Sequence, residues 1–288
     1  MSNPQVVSGE RFPSRRSMVA SKNGIVATSQ PLATMAGVRI LMQGGNAFDA
    51  AVAASAAINV TEPMTNGVGG DMFALNYLAP DPSRGLAESR QVTALNGSGR
   101  APRKATLKYY QDRGFQQMPV MGMLAVTTPG TVDGWATLLK VHGTMTLGQV
   151  LQPAIELASE GFPVSEMMAR SWGHIAARVK DYPETIQTYF IAGRAPRAGE
   201  IFRNPNMART LRLIAEQGRD AFYLGEIAEK IVRASEQYGG LFTMQDLAEH
   251  TSTWDEPIAV DYGGYRVYEC PPNGQGIAAL MALNLVRE

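Results

Sequence analysis

The segment Asn96-Gly97-Ser98-Gly99-Arg100-Ala101-Pro102 concentrates polar side chains and glycines directly after the apolar run QVTAL at residues 91–95. Loops that follow a buried strand in this way often carry function, because the strand holds them rigidly. Arg100 brings a planar guanidinium fork, which can hold a carboxylate through two parallel hydrogen bonds. The same fork can instead pair with a structural carboxylate or with loop carbonyls, and the residues leave both readings open. Ser98 stands in Gly-Ser-Gly, not in the Gly-x-Ser-x-Gly spacing of a nucleophile elbow. No histidine has a supporting context, so a serine triad is disfavoured.

A second glycine cluster, Gly67, Gly69 and Gly70, leads into Asp71. Backbone amides there can form an anion nest as a pocket wall, or the aspartate can accept those amides itself. The cluster lacks the third glycine of a dinucleotide fingerprint, and no Gly-Lys-Ser/Thr loop is present, which disfavours a nucleotide. Cys270 is the single cysteine, so an internal disulfide and a cysteine metal cluster are excluded. His142, His174 and His250 have no close ligand spacing, and neither a metal nor a cofactor is expected. Cys270 reads as a small apolar residue at a strand end. Asp49 and Glu62 read as a helix-cap acid and a strand-end acid.

The elements that must position these groups follow from punctuation and periodicity. Val26-Ala27-Thr28 reads as a short strand, and Ser29 as the N-cap of a helix opening at Pro31, with Leu32, Met35, Ala36, Val38 and Ile40 as its apolar face. Gly44-Gly45 stops that helix. Asn46 caps the next, with Asp49 in its first turn and small alanines to Ala57 that permit close packing. Residues 72–78 and 91–95 are expected as two antiparallel strands around turn material at 81–85. Helices are expected over 105–113, 132–141 and 147–161, and most of 164–238 is helical in pattern. Residues 262–269 read as a hairpin, and Pro271-Pro272-Asn273-Gly274-Gln275-Gly276 opens a final apolar helix.

The 288 residues carry 26 basic and 26 acidic side chains, a balance that points to no nucleic acid and no membrane surface as partner. Residues 1–20, polar and proline-punctuated, read as an N-terminal arm. No apolar core of a signal peptide follows Arg11, Arg15 and Arg16, and the expectation for the chain as written is cytosolic.

Several motifs coincide in order and spacing: Ala27-Thr28-Ser29-Gln30-Pro31-Leu32-Ala33, Gly44-Gly45-Asn46-Ala47-Phe48-Asp49-Ala50-Ala51-Val52-Ala53, Glu62-Pro63 with Gly67-Val68-Gly69-Gly70, Pro129-Gly130 with Gly134, Pro153-Ala154-Ile155 with Gly161-Phe162, and Pro271-Pro272-Asn273-Gly274-Gln275-Gly276. Together they resemble the gamma-glutamyltransferase (gamma-glutamyltranspeptidase) family over residues 20–288. The resemblance implies an α+β Ntn hydrolase with a four-layer αββα sandwich, made as a proenzyme that cleaves itself and exposes a threonine nucleophile on a small subunit. By the same resemblance residues 21–288 correspond to much of the large subunit, with truncation at Glu288 left open, the small subunit as partner and no catalytic residue in this chain.

One departure bears on substrate. Family transpeptidases carry Arg-Glu-x-Ala-Pro where this chain has Ser98-Gly99-Arg100-Ala101-Pro102, so Ser98 stands at the arginine that holds the glutamyl α-carboxylate. Arg100 lies two residues on, about 6.6 Å along an extended backbone and on the same face. The variant resembles the subgroup that includes oxamate amidohydrolase. Arg100, with Asn96 and Ser98, is therefore the expected substrate contact, and Gly69, Gly70 and Asp71 a possible pocket wall. A true γ-glutamyl transferase or hydrolase, a related acylase, and an inactive binding protein remain the alternatives.

Overall fold

In a computed structural model of the chain, residues 17–80 and 91–287 are described. The turn expected at 81–85 lies outside them. Helix α1 (Pro31–Met42) begins with proline at N1, where a missing amide hydrogen costs nothing. Its N-cap is Gln30, not Ser29, and residues 26–28 form no strand. Ser29 instead donates to the Glu62 carboxylate at 2.7 Å, while the Thr28 hydroxyl bonds the Gln30 carbonyl at 2.6 Å. These local side-chain bonds compete with a ladder and shape the entry to the helix. Ala33, Ala36, Gly37 and Ile40 make the buried stripe at spacings of three and four. Met35 and Val38, expected in that face, are exposed.

Helix α2 (Ala47–Thr61) starts with the expected capping box, Asn46 and Asp49 each bonding the other's backbone amide. Asp49 is fully buried and also accepts Thr144 N at 3.0 Å, the Thr144 hydroxyl at 2.6 Å and Met145 N at 3.1 Å. One carboxylate thus ties the helix start to a loop about a hundred residues away. The helices cross tightly, since a Cβ on Gly37 would lie 3.0 Å from the Ala50 carbonyl oxygen. Glu62 is the C-cap of α2, not a strand-end acid.

Strands β1 (Met72–Leu78) and β2 (Gln91–Gly97) pair antiparallel, Met72 opposite Gly97, as expected. After α3 (Leu107–Gln111) come α4 (Thr131–His142) and α5 (Leu147–Glu160), the latter passing through Pro153. A two-stranded ribbon of β3 (Phe162–Pro163) and β4 (Ile201–Phe202) encloses α6 (Glu166–Ala176) and α7 (Pro183–Tyr189) in sequence. Then follow α8 (Pro205–Gln217), α9 (Asp220–Tyr223), α10 (Glu226–Gln237) and α11 (Met244–Ala248), in agreement with the helical pattern.

Strand β5 (Thr253–Asp255) adds to β2, giving one sheet in the order β1-β2-β5. Strands β6 (Ile258–Tyr262) and β7 (Tyr265–Glu269) form the expected hairpin, turning at Gly263 and Gly264, both at positive φ (56° and 82°) as a tight turn requires. Helix α12 (Gly276–Leu285) closes the described chain.

The two faces of the β1-β2-β5 sheet differ. On one, Met72 packs on Gly134 of α4 and Leu95 joins the core with Trp135 and Leu138. Trp135 also donates its indole N–H to Ser55 of α2 at 3.0 Å, linking two helical layers. On the other face, Phe73, Leu75 and Tyr77 alternate along β1 and are 39%, 43% and 56% exposed. Asn96 shares that face, being opposite Phe73. None of the described helices is long and apolar enough to cross a membrane.

Candidate functional site

The candidate loop begins where β2 ends, so pairing with β1 sets it beside residues 67–71. Its glycines are demanded by close approach. A Cβ on Gly99 would fall 1.5 Å from the Thr128 carbonyl oxygen, and one on Gly130 would fall 1.6 Å from that of Gly97. Hydrogen bonds lock the crossing: Thr128 N donates to the Arg100 carbonyl at 2.9 Å, and Gly99 N donates to the Asp71 carboxylate at 3.2 Å. The Gly70 carbonyl accepts Gly130 N at 2.9 Å, Thr131 N at 3.0 Å and the Thr131 hydroxyl at 2.9 Å.

Asp71 therefore accepts an amide, although the donor comes from the opposite loop and not from its own glycine turn. Gly70 turns its carbonyl to the orphan amides that open α4. Gly69 is exposed at the tip of the turn.

Asn96 and Ser98 are brought together, and a third side chain joins them. The Asn96 carboxamide oxygen accepts Ser98 N at 3.0 Å, and its NH2 donates to the Asn273 side-chain oxygen at 3.2 Å. The Asn273 NH2 in turn donates to the Ser98 hydroxyl. Asn273 was legible only as part of a helix-opening turn. Its Asn-Gly after two prolines was the available signal, but the contact spans 175 residues.

Arg100 is exposed, and among the described residues its guanidinium takes no ion pair. It lines a cavity of about 330 Å³ with Thr128, Arg103, Asp246, Glu249 and His250. Three of those charges are already engaged. Arg103 pairs with Glu249, and Asp246 accepts Arg103 N at 2.9 Å while capping α11. Arg100 is left facing the cavity, so the reading with a structural carboxylate finds no partner among the described residues.

Beneath this loop lies a buried polar junction that the sequence did not reveal. His250 is 5% exposed and stacks on Tyr223 with ring centroids 5.4 Å apart. Its Nε2 sits 4.0 Å from the Asp133 carboxylate. Asp133 is bound by the Arg219 guanidinium and by Ser252 N at 2.6 Å, and the Arg219 fork also reaches the His250 carbonyl. The Tyr223 hydroxyl donates to the Pro129 carbonyl at 2.8 Å and accepts Asp133 N at 3.1 Å, which fixes the Pro129-Gly130 turn.

Burial pushes the Asp133 carboxyl upward, but hydrogen bonds from Arg219 and Ser252 outweigh it and hold it below the usual carboxylate range. Burial lowers His250, with Asp133 opposing, so its imidazole is neutral at neutral pH. Burial likewise raises the Tyr223 phenol well above its ordinary value. These shifts belong to a structural junction that sets the loop's backbone. The Ser98 hydroxyl is held by Asn273, and among the described residues no histidine bonds it. The arrangement can bind and orient an anion, and among the described residues no base is hydrogen-bonded to the Ser98 hydroxyl.

The sequence profile of the gamma-glutamyltranspeptidase family matches residues 33–288. The chain belongs to this family. It is 39% identical over 272 residues to the glutathione hydrolase-like YwrD proenzyme of Bacillus subtilis, covering 94% of this chain and 50% of that one. The oxamate amidohydrolase proenzyme of Klebsiella pneumoniae is 33% identical, with 92% and 49% covered. Among solved structures, a cephalosporin acylase from Bacillus halodurans superposes with a TM-score of 0.88 at 45% identity, over 99% of this chain and 52% of that one. The chain thus spans about half the length of the curated relatives it matches, and its α+β fold is that of the family's Ntn hydrolases.

Proposed function

We propose that the chain is the large-subunit part of a self-processing amidohydrolase that cleaves the amide of a small, carboxylate-bearing, oxamate-like substrate. The observation that carries this reading is Arg100: an exposed guanidinium on a loop whose backbone is pinned by Asp71 and Thr128, facing a cavity with room for a small anion. A guanidinium carried on a fixed loop can hold a carboxylate through two parallel hydrogen bonds. Asn96 and Ser98, tied through Asn273, shape the same end of the sheet. Residues 67–71 form the adjoining wall.

The nucleophile in this reading is a threonine opening the small subunit, whose segment completes the sandwich over the open face of β1. Its hydroxyl attacks the amide carbon, its own α-amino group takes the proton and delivers it to the departing amine, and water then resolves the acyl-enzyme. Oxamate and water would yield oxalate and ammonia. Self-cleavage of a precursor is supported by the proenzyme names of the relatives.

A second reading is favoured by the name of the Bacillus subtilis relative: a γ-glutamyl compound as substrate. Ammonia release from oxamate, measured beside chromophore release from a γ-glutamyl anilide with the full-length processed protein, decides between them. Turnover of oxamate is expected; turnover of the glutamyl compound alone would transfer the assignment, and a precursor that neither cleaves itself nor turns over either compound would mark a binding protein.

A further inference from the structure

Arg100 is anchored through its backbone to residues 128–130. Thr128 N donates to the Arg100 carbonyl at 2.9 Å, and a Cβ on Gly130 would fall 1.6 Å from the Gly97 carbonyl oxygen, so a shift of one segment presses on the other. Between those two contacts the Pro129 carbonyl accepts the Tyr223 phenol at 2.8 Å. No other side chain among the described residues hydrogen-bonds residues 128–130.

Tyr223 is itself fixed on every side. It is fully buried, its oxygen also accepts Asp133 N at 3.1 Å, and that amide is one of the orphan donors in the first turn of α4. The Arg219 guanidinium lies 4.4 Å from the centre of its ring, which stacks on His250, a wall of the Arg100 cavity. Arg219 joins the Asp133 carboxylate to the His250 carbonyl, and Asp133 accepts Ser252 N just ahead of β5. One phenol thus passes the positions of α4, α9 and the start of β5 to a single carbonyl of the turn. Burial raises its pKa, so it remains a donor through the neutral range.

We propose that Tyr223 is a positioning residue for the substrate carboxylate, acting through Pro129 and Thr128 on Arg100. The assignment rests on the Arg100 reading. A phenylalanine at 223 keeps the ring against His250 and Arg219 but leaves the buried Pro129 carbonyl and Asp133 amide unpaired. The turn then relaxes, and Arg100 moves with the carbonyl that Thr128 holds. A misplacement of about 1 Å at a substrate clamp can cost up to about a hundredfold in rate.

The test is a double-mutant cycle on oxamate with full-length processed protein carrying Tyr223→Phe, Arg100→Ala or both. Alone, Tyr223→Phe should lower kcat/KM by about fivefold to tenfold, chiefly through a higher KM. Over Arg100→Ala it should add less than about twofold, because the fork whose place it sets is gone. Equal losses in both backgrounds, or none in either, would overturn the assignment, since a general loosening of the core does not depend on Arg100.

Amide hydrogen exchange in the wild-type protein reads the same coupling without any variant. Asp133 N and Thr128 N stand at the two ends of the relay, and their rates, corrected for intrinsic exchange, should agree within about tenfold. Thr128 exchanging faster than that would detach Arg100 from Tyr223 and reject the assignment, whatever the kinetics. Oxamate kinetics unchanged by Arg100→Ala, beside matched exchange, would fail the carboxylate contact alone and leave Tyr223 as the brace of that loop.

Discussion

The covered and open faces of the β1-β2-β5 sheet are built from the same kind of alternating strand, yet only one has a core. Against α4, Leu95 is sealed among Trp135 and Leu138; across the sheet, Phe73, Leu75 and Tyr77 stand in water. Helix α12 repeats the contrast, being apolar on every side with Ile277, Met281 and Leu285 exposed. A helix hydrophobic all round is made to be buried. Asn96, with Ser98 and Asn273 bonded around it, sits at one end of the open face. The covered face therefore holds the molecule together, and the open face leaves its apolar side chains in water.

That contrast can be tested from its strongest consequence downward. Below the loop, Arg219→Ala leaves the Asp133 carboxylate buried and unpaired, and chemical unfolding of the full-length protein should show a loss of about 3–5 kcal/mol. A smaller change would mean that Asp133 finds other partners.

Leu95→Ala on the covered face should cost about 2–5 kcal/mol in the same assay. Leu75→Ala is the sharper companion. If a further segment closes the open face, it should cost about 2 kcal/mol or more in full-length protein; near-zero cost would show that face to be bare in the working enzyme.

Arg100→Ala, by contrast, should lower kcat/KM on the carboxylate substrate by about tenfold to a hundredfold, the worth of a charged hydrogen-bonded pair. Its melting temperature should barely move. A large drop in stability would return Arg100 to a structural role.

The smallest effect concerns pH. The folded-state pKa of His250 lies below its unfolded value, so the unfolded chain binds more protons and stability falls as pH drops through about 6.5. His142, also lowered by burial, acts in the same direction. The depressed Asp133 adds its loss only at lower pH, below the ordinary carboxylate value. Melting curves between about pH 7 and pH 5 should have a flatter slope in His250→Gln than in wild type. An unchanged slope would leave His250 out of the titration.

Local chemistry was well read from the residues. The Asn46 and Asp49 capping box and the hairpin turning at Gly263-Gly264 depend on neighbours within a few positions, and the alternation and turn signals of β1 and β2 are local too, so spacing alone carries the information. Misreadings arose where side chains reached farther: Ser29 left its helix for Glu62, and Met35 and Val38 yielded the buried face to Ala33, Ala36 and Gly37 because α2 lies too close for larger groups.

The amino-acid sequence by itself determined the family, the α+β class, the caps and turns, and Arg100 as a cation in a glycine loop. Only the tertiary structure decided that Asn273 completes the Asn96 and Ser98 pair, that His250 lies over an Asp133–Arg219 bridge, and that Arg100 faces a cavity without an ion-pair partner among the described residues. The physical reason is distance along the chain. Caps and turns are closed by residues three or four apart, whereas each of these site contacts joins groups tens to nearly two hundred residues apart, and no periodicity announces which of many asparagines or carboxylates will arrive.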